Sequence, residues 1–220
     1  MQRQPEPELM DDPLEAEAYS ITDFSDVNEK FVEKLCSILP LSGELIAVDL
    51  GCGPGDITYR TFMRNEDWHI IGVDGSEAML RFAQKQFGIR KPIWILSDAK
   101  FLPFADYSID LVFTNSLLHH LLDPMPFWNE IKRIIKPNGF LFLRDLFRPI
   151  STEKAQEIVD TYAGDASSLL KKEYFRSLLS AFTPEEIQEQ LSQCGLHFLT
   201  VERVTDRHVD VYGVMSEPNR

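Results

Sequence analysis

The sequence lacks the features that mark several large classes of protein. Its three cysteines (Cys36, Cys52 and Cys194) are odd in number and far apart, so they predict neither a disulfide framework nor a zinc-binding pattern. No apolar run approaches the roughly 20 residues that a membrane-spanning helix needs, and the N-terminal run contains no apolar core of a signal peptide. We therefore expect a soluble, cytoplasmic protein with no membrane insertion and no metal site.

Basic residues are also scarce relative to acidic ones. The 220 residues include 22 Lys and Arg against 35 Asp and Glu, which gives a formal net charge of −13. A chain of this sign repels phosphate backbones unless it carries a local basic patch, and the sequence contains none. We therefore expect no nucleic-acid partner. The expected oligomeric state is a monomer or homodimer.

The first residues are acidic and rich in proline. Because such a segment buries little apolar surface, residues 1–13 are predicted to be a mobile, solvated tail. Its acids include Glu6, Glu8, Asp11 and Asp12. The remainder, 14–220, is predicted to form a single domain with helical cap elements at about 14–40 and 150–182.

Short apolar runs alternate with stretches at helical spacing over most of the chain, which indicates a parallel sheet covered by helices. Two β-rich runs at the end predict an antiparallel hairpin. We expect an α/β, Rossmann-like, doubly wound, mostly parallel seven-stranded sheet with an N-terminal helix and a helical insertion after strand five. The predicted strands are 45–50, 68–74, 93–96, 109–114, 140–146, 197–204 and 208–215. The predicted helices are 19–39, 57–65, 76–87, 125–135, 152–162, 167–180 and one from Thr183 to Cys194.

The loop after the first strand, Val48-Asp49-Leu50-Gly51-Cys52-Gly53-Pro54-Gly55-Asp56, carries the clearest functional signal. It joins a buried strand to a helix, the position where open α/β folds bind nucleotide-like ligands. A glycine-rich turn without a ligand is the simpler alternative. The dinucleotide fingerprint is G-x-G-x-x-G, whereas the spacing here is G-x-G-x-G with acids on both sides. Those acids oppose a pyrophosphate and favour a ligand with positive charge, such as S-adenosylmethionine.

Two more acids follow the next two strands. Asp74 ends strand two, where it could accept hydrogen bonds from ribose hydroxyls. Asp98 follows strand three, where it could accept a hydrogen bond from the amino group of an adenine. Each has an ordinary alternative as a helix-capping or turn aspartate. Together with Asp49 they place an acid after or within three successive strands at one edge of the sheet.

With these residues, the chain resembles the class I S-adenosylmethionine-dependent methyltransferases. Residues 49–55, 72–76 and 97–99 are similar to the first three motifs of that family, and 115–121 to the segment after its fourth strand. The resemblance covers about 19–215. Within that family, the chain is most similar to the small-molecule branch that contains the ubiquinone and menaquinone C-methyltransferases. This similarity lies in the run Tyr19…Phe24…Asn28…Phe31, followed by DLGCGPGD and NSLLHHLLDP.

The resemblance implies a role for each motif. The glycine loop would hold the methionine moiety, Asp74 the ribose, Met79 a face of the adenine, and Asp98 with Ala99 its edge. Tyr19 would close over the cofactor, or is an ordinary packing residue. The residues predicted to bind the cofactor are Tyr19, Asp49, Gly51, Cys52, Gly53, Gly55, Asp74, Gly75, Ser76, Met79, Asp98, Ala99, Lys100, Asn115 and Ser116.

The segment after strand four also bears on the acceptor. Enzymes that methylate nucleic-acid or glutamine nitrogen carry an Asp/Asn-Pro-Pro-aromatic run there, and Thr114-Asn115-Ser116-Leu117-Leu118 has no proline. The expected reaction is methyl transfer to oxygen or carbon of a small, partly apolar molecule, with S-adenosylhomocysteine as product. The alternative is a catalytically silent regulatory protein that binds the same cofactor.

The adjacent His119 and His120 are the predicted general bases, with His120 favoured, because imidazole titrates near neutral pH. A structural pair that caps the following turn is the alternative. Arg144 and Asp145 interrupt an apolar strand, so we expect them to reach the rim of the pocket or to pair with each other.

Overall fold

The structure of the protein is a computed structural model that describes residues 1–9, 13–20, 22–88 and 92–216. Within these residues, a helix lies between each pair of consecutive strands from β1 to β5 except between β3 and β4, and three helices and a hairpin follow. The helices are α1 (Pro13–Ser20), α2 (Ser25–Ile38), α3 (Asp56–Arg64), α4 (Glu77–Phe87), α5 (Met125–Ile134), α6 (Thr152–Tyr162), α7 (Ser168–Ser180) and α8 (Pro184–Gln193). The strands are β1 (Ile46–Leu50), β2 (His69–Asp74), β3 (Ile93–Leu96), β4 (Ile109–Asn115), β5 (Ile135–Leu146), β6 (Thr200–Arg203) and β7 (His208–Val214).

The seven strands form one sheet in the order β3-β2-β1-β4-β5-β7-β6. The first five strands are parallel, and β7 pairs antiparallel with both β5 and β6. This confirms the predicted fold class, including the closing hairpin at the edge of the sheet. No helix in the described part of the chain is long and apolar enough to cross a membrane.

Helices cover both faces of the sheet, and the strand sequences show why. Successive side chains of a strand point to opposite faces. On β5, Leu141 packs with Trp128 of α5 and Ile187 of α8, while Phe142 packs with Phe31 of α2. Because both faces are apolar, the sheet is stable only between two layers of helix.

Several boundaries differ from the sequence predictions. The single helix predicted over 19–39 is two helices, α1 and α2, and the backbone N–H of Ser25 bonds to the Asp23 carboxylate at 2.9 Å where α2 begins. Residues 136–139, between the predicted helix 125–135 and the predicted strand 140–146, lie within β5, because Asn138 and Gly139 exchange backbone hydrogen bonds with Met215 beyond β7. Ser76, the first residue of the predicted helix 76–87, caps α4 by accepting from the backbone N–H of Met79.

Arg144 and Asp145 do not pair with each other, which corrects that expectation. Neighbours on a strand face opposite sides of the sheet. Arg144 forms a two-pronged ion pair with Asp210 on β7, at 2.6 and 2.7 Å, and the Asp210 side chain is fully buried. Asp145 points to the other side, where it meets the segment that follows β4.

A buried acid also ties β1 to α3. The Thr58 hydroxyl donates to the Asp49 carboxylate at 2.6 Å, and Asp49 is only 2% exposed. Burial raises the pKa of Asp49 to about 8; the hydrogen bond from Thr58 opposes this rise and the charge of Asp74 adds to it. Asp49 is therefore a largely protonated part of the core at neutral pH.

We expect Arg144→Leu to lower the free energy of unfolding by about 3–5 kcal/mol, because the Asp210 carboxylate would stay buried without its cation. Urea denaturation measures the change. The matched control is Arg203→Leu on β6, which removes an exposed pair with Glu185 and should cost less than about 1 kcal/mol. Equal losses in the two variants would contradict the assignment.

The raised pKa of Asp49 predicts a dependence of stability on pH. Because the carboxyl titrates near 4 in an unfolded chain, the folded state binds more protons between about pH 4 and pH 8. The contribution of Asp49 is fully present below pH 4 and falls by about 1 kcal/mol per pH unit as the pH rises towards 8. Urea denaturation across this range should show that Asp49→Asn removes this slope, whereas the exposed control Asp26→Asn keeps it.

Candidate functional site

The carboxyl ends of β1, β2 and β4 lie side by side, and the glycine loop closes over them. Gly51 and Cys52 donate backbone hydrogen bonds to the carbonyl oxygen of Val73, at 2.8 and 3.0 Å. Gly53 donates to the Asp74 carboxylate at 2.7 Å. The structure therefore brings the predicted loop and the predicted ribose acid into direct contact.

Two glycines of the loop serve different purposes. Gly51 has a φ of +68°, and a Cβ there would lie 2.9 Å from the Leu117 side chain, so a larger residue would disturb the segment after β4. Gly53 has a φ of +54°, and a Cβ there would meet no atom of the described residues within 4 Å. The backbone beside Gly53 is therefore open to a ligand, while Gly51 allows the loop to pack against the domain.

Asp74 organises the end of β2. Its second carboxylate oxygen accepts from the backbone N–H of Ser76 at 2.8 Å, so the helix-capping alternative is also realised. A carboxylate accepts up to about four hydrogen bonds, so these contacts are compatible with binding a ribose diol as well. Tyr19 lies nearby and is half-buried; burial and the charge of Asp74 raise the pKa of its hydroxyl.

The residues predicted around the adenine are held by one another and by the N-terminal residues. The Asp98 carboxylate accepts from the backbone N–H of Lys100 at 2.8 Å, as a turn aspartate does. The Lys100 ammonium lies 3.2 Å from Asp98 and 2.8 Å from Glu8. Ala99 packs against the core of the domain.

Two other predicted residues are enclosed by protein. Met79 is 4% exposed and Cys52 is 8% exposed. Burial, with the charges of Asp74 and Asp49, raises the pKa of the Cys52 thiol, which keeps it protonated. Cys52 is a packing residue of the loop, and the contact of Met79 with adenine stays a prediction.

The segment after β4 turns sharply towards β5. Asn115 ends β4 beside Arg144, and Ser116 has a φ of +59° and donates its backbone N–H to the Arg144 carbonyl oxygen at 2.9 Å. A single turn of 3-10 helix, Leu118–His120, follows and carries the two histidines.

His119 is buried and oriented by Asp145. Its Nδ1 lies 2.5 Å from Asp145 Oδ1, and its backbone N–H donates to Oδ2 of the same carboxylate at 3.1 Å. Burial disfavours the imidazolium, but the charge and hydrogen bond of Asp145, with the charge of Glu6, outweigh it and raise the pKa of His119. For His120, burial and the charge of the neighbouring His119 outweigh the charge of Asp145 and the contact of Nδ1 with the Pro7 carbonyl oxygen, and they lower its pKa to about 3.

The N-terminal strap, residues 1–9, is the part of the site that the sequence did not reveal. A solvated tail was expected, but Arg3 donates to the carbonyl oxygens of His119, Leu121 and Ser180 at 3.0, 2.8 and 2.5 Å. Further along, Glu6 lies against both histidines. Asp11 and Asp12 of the predicted tail lie outside the described residues.

The strap also reaches the cofactor side of the edge. A Cβ on Gly75 would lie 2.7 Å from the Leu9 side chain, and Glu8 pairs with Lys100. Pro5 and Pro7, which favour an extended chain for themselves and the residues before them, are the signal that could have indicated a strap. Its acids are stabilised by pairing on the domain, which composition alone does not show.

Comparison with known proteins agrees with this geometry. A protein-family profile described as a methyltransferase domain matches residues 48–143, from the glycine loop into β5. A malonyl-[acyl-carrier protein] O-methyltransferase from Marinomonas sp. (strain MWYL1) is 28% identical over 185 residues, which are 81% of this chain and 67% of that protein. A 27-O-demethylrifamycin SV methyltransferase from Amycolatopsis mediterranei (strain S699) is 25% identical over 185 residues, which are 82% of this chain and 64% of that protein.

A solved structure shows the same fold. A SAM-dependent methyltransferase from Aquifex aeolicus aligns with a TM-score of 0.67 at 20% identity, over 93% of this chain and 98% of that one. The profile match, the two relatives and the shared fold confirm the resemblance found in the motifs. The chain thus contains a methyltransferase domain and is similar over most of its length to S-adenosylmethionine-dependent methyltransferases, and S-adenosylmethionine is its cofactor.

Proposed function

We propose that this protein transfers the methyl group of S-adenosylmethionine to a small, partly apolar molecule, with oxygen favoured over carbon as the acceptor atom. The observation that carries the proposal is the open backbone at Gly53 beside the Asp74 carboxylate. A ligand there meets a bare peptide and an acid together, which suits a cationic nucleoside better than a pyrophosphate.

The residues at the strand ends fit the cofactor. The Gly51–Gly55 backbone would hold the methionine moiety, Asp74 would accept from the ribose hydroxyls, and Asp98 would bind the adenine amino group. When bound, the cofactor supplies an electrophilic methyl group on a sulfonium. The protein then has to hold the acceptor in line with that methyl group, and orientation of this kind contributes several kcal/mol to the rate.

The choice of oxygen rests on the relatives. The name of the Marinomonas protein describes O-methyl transfer, and that of the Amycolatopsis protein describes a rifamycin that lacks a methyl group on an oxygen. The absence of the proline-containing nitrogen-acceptor motif after β4 counts against a nitrogen acceptor. If the acceptor must lose a proton, His119 and His120 are the groups we propose for that step, because both lie on the turn that follows β4.

The first test concerns Asp74. We expect Asp74→Ala to weaken binding of S-adenosylhomocysteine at least about tenfold, because the ribose would lose hydrogen bonds to a charged acceptor. Isothermal titration measures the affinity, and NAD should show no binding. Asp74→Asn, which keeps one acceptor for the backbone of the loop, separates ribose recognition from folding.

The control for this test is Asp56→Asn, which also flanks the glycine loop. The Asp56 carboxylate is engaged by Asn28 and Arg60 at 2.8 and 2.7 Å, away from Asp74. Its replacement should leave the affinity unchanged. An unchanged affinity in Asp74→Ala, with a normal thermal unfolding curve, would contradict the ribose assignment.

The second test identifies the reaction. Incubation with S-adenosylmethionine labelled in the methyl group and an extract of small metabolites should give a labelled product whose carbon chemical shift is that of a methyl group on oxygen. A shift typical of a methyl group on carbon would overturn the choice of acceptor atom. Cofactor binding without any labelled product would favour the silent regulatory protein.

A further inference from the structure

Three side chains from two distant parts of the chain meet beside the segment that follows β4. Glu6 Oε1 lies 3.5 Å from His119 Nε2 and 3.3 Å from His120 Nδ1. One ligand atom from each of the three residues lies within 4.8 Å of the others. Two imidazoles and one carboxylate are the donor set of many divalent transition-metal sites.

The distances from Glu6 to the two imidazoles match the edges of a tetrahedral site. Donors about 2.0–2.1 Å from a zinc ion, at the tetrahedral angle, are about 3.3–3.4 Å apart. The two measured distances from Glu6 are close to that edge length. The two imidazole nitrogens lie within 4.8 Å of each other, so a cation between the three atoms would bring them at most about 1.5 Å closer together.

The groups behind the donors are arranged as around known metal ligands. The other ring nitrogen of His119 contacts the Asp145 carboxylate, the carboxylate–histidine pairing that fixes the tautomer of a metal-bound imidazole. The Ser177 hydroxyl donates to the Glu6 carboxylate at 3.1 Å. Both contacts orient donor atoms towards the shared space.

Burial makes a cation more favourable at this cluster. The side chains of Glu6, His119 and His120 are 7%, 3% and 19% exposed. A carboxylate removed from water is costly unless a positive charge compensates it. A proton shared by His119 with Asp145 and Glu6 would compensate it partly, and that arrangement is the competing explanation.

We propose that Glu6, His119 and His120 form a binding site for one divalent cation of the zinc type. The three donors leave at least one coordination position open, as in catalytic rather than structural zinc sites. The ion would fix the strap to the turn after β4. The sequence alone did not predict the site, because Glu6 lies more than a hundred residues before the histidines and in a segment read as a tail.

The open position suits an oxygen donor such as a hydroxyl or carboxylate. If methyl transfer proceeds to oxygen as proposed above, an acceptor hydroxyl bound to the cation would release its proton to water more readily, and the two histidines would act as ligands in place of the role as bases proposed above. This last step rests on the proposed function, whereas binding of the cation does not.

The test is a titration of the full chain, freed of metal with a chelator, in the absence of cofactor and acceptor. We expect one Zn²⁺ per chain, measured by competition with a chromophoric chelator. Co²⁺ should give the strong visible absorption of a four- or five-coordinate ion rather than the weak bands of a six-coordinate one. Failure of this titration would leave the methyltransferase proposal untouched.

Variants assign the ion to the cluster. Glu6→Gln and His120→Gln should each lower the Zn²⁺ affinity at least about tenfold. The matched control is Glu8→Gln, in the same strap, whose carboxylate contacts Lys100 and the backbone N–H of Leu122 instead. It should leave the affinity unchanged, as should Cys36→Ser and His69→Gln, which remove an exposed thiol and an exposed histidine.

Circular dichroism and thermal unfolding check that each variant is folded. Absence of stoichiometric Zn²⁺ binding to the wild-type chain would overturn the proposal in favour of the shared proton. Binding that survives in folded Glu6→Gln and His120→Gln, or that is lost in Cys36→Ser or His69→Gln, would also overturn it.

Discussion

The parallel alignment of the first five strands is the constraint on which the site depends. Because β1, β2 and β4 run in the same direction, the residues at their carboxyl ends meet at one edge of the sheet. The glycine loop, Asp74 and the turn after β4 become neighbours there, although they are spread over some seventy residues of sequence. Buried contacts then lock the edge, with Asp49 holding α3 and Asp145 holding the histidine turn.

Three buried aspartates near this edge illustrate how the surroundings of an acid decide its role. Asp49 is buried without a cation, so its pKa rises and it behaves as a neutral part of the core. Asp145 is equally buried, but the charge of His119 and several hydrogen bonds outweigh burial and lower its pKa. Asp210 faces Arg144 and fastens β7 to β5. Acids of one type therefore serve as a core residue, an orienting group and a link between strands.

The N-terminal strap contacts both sides of the candidate site. Residues 1–9 contact the cofactor side through Leu9 and Glu8 and the histidine side through Glu6 and Arg3. The two sides are thus spanned by one extended segment whose prolines favour that conformation. A ligand that binds at either side meets this segment, which makes the strap part of the site rather than an appendage to it.

Local patterns in the sequence determined the fold class, most element boundaries and the glycine loop with Asp74, because these depend on periodicity and on residues close together in the chain. Tertiary structure decided what distant residues do. It paired Arg144 with Asp210 instead of Asp145, and it placed Glu6 against His119 and His120. The composition gives the number of charged residues but not which of them form pairs. The pairing is set by how the strands and connections pack in three dimensions.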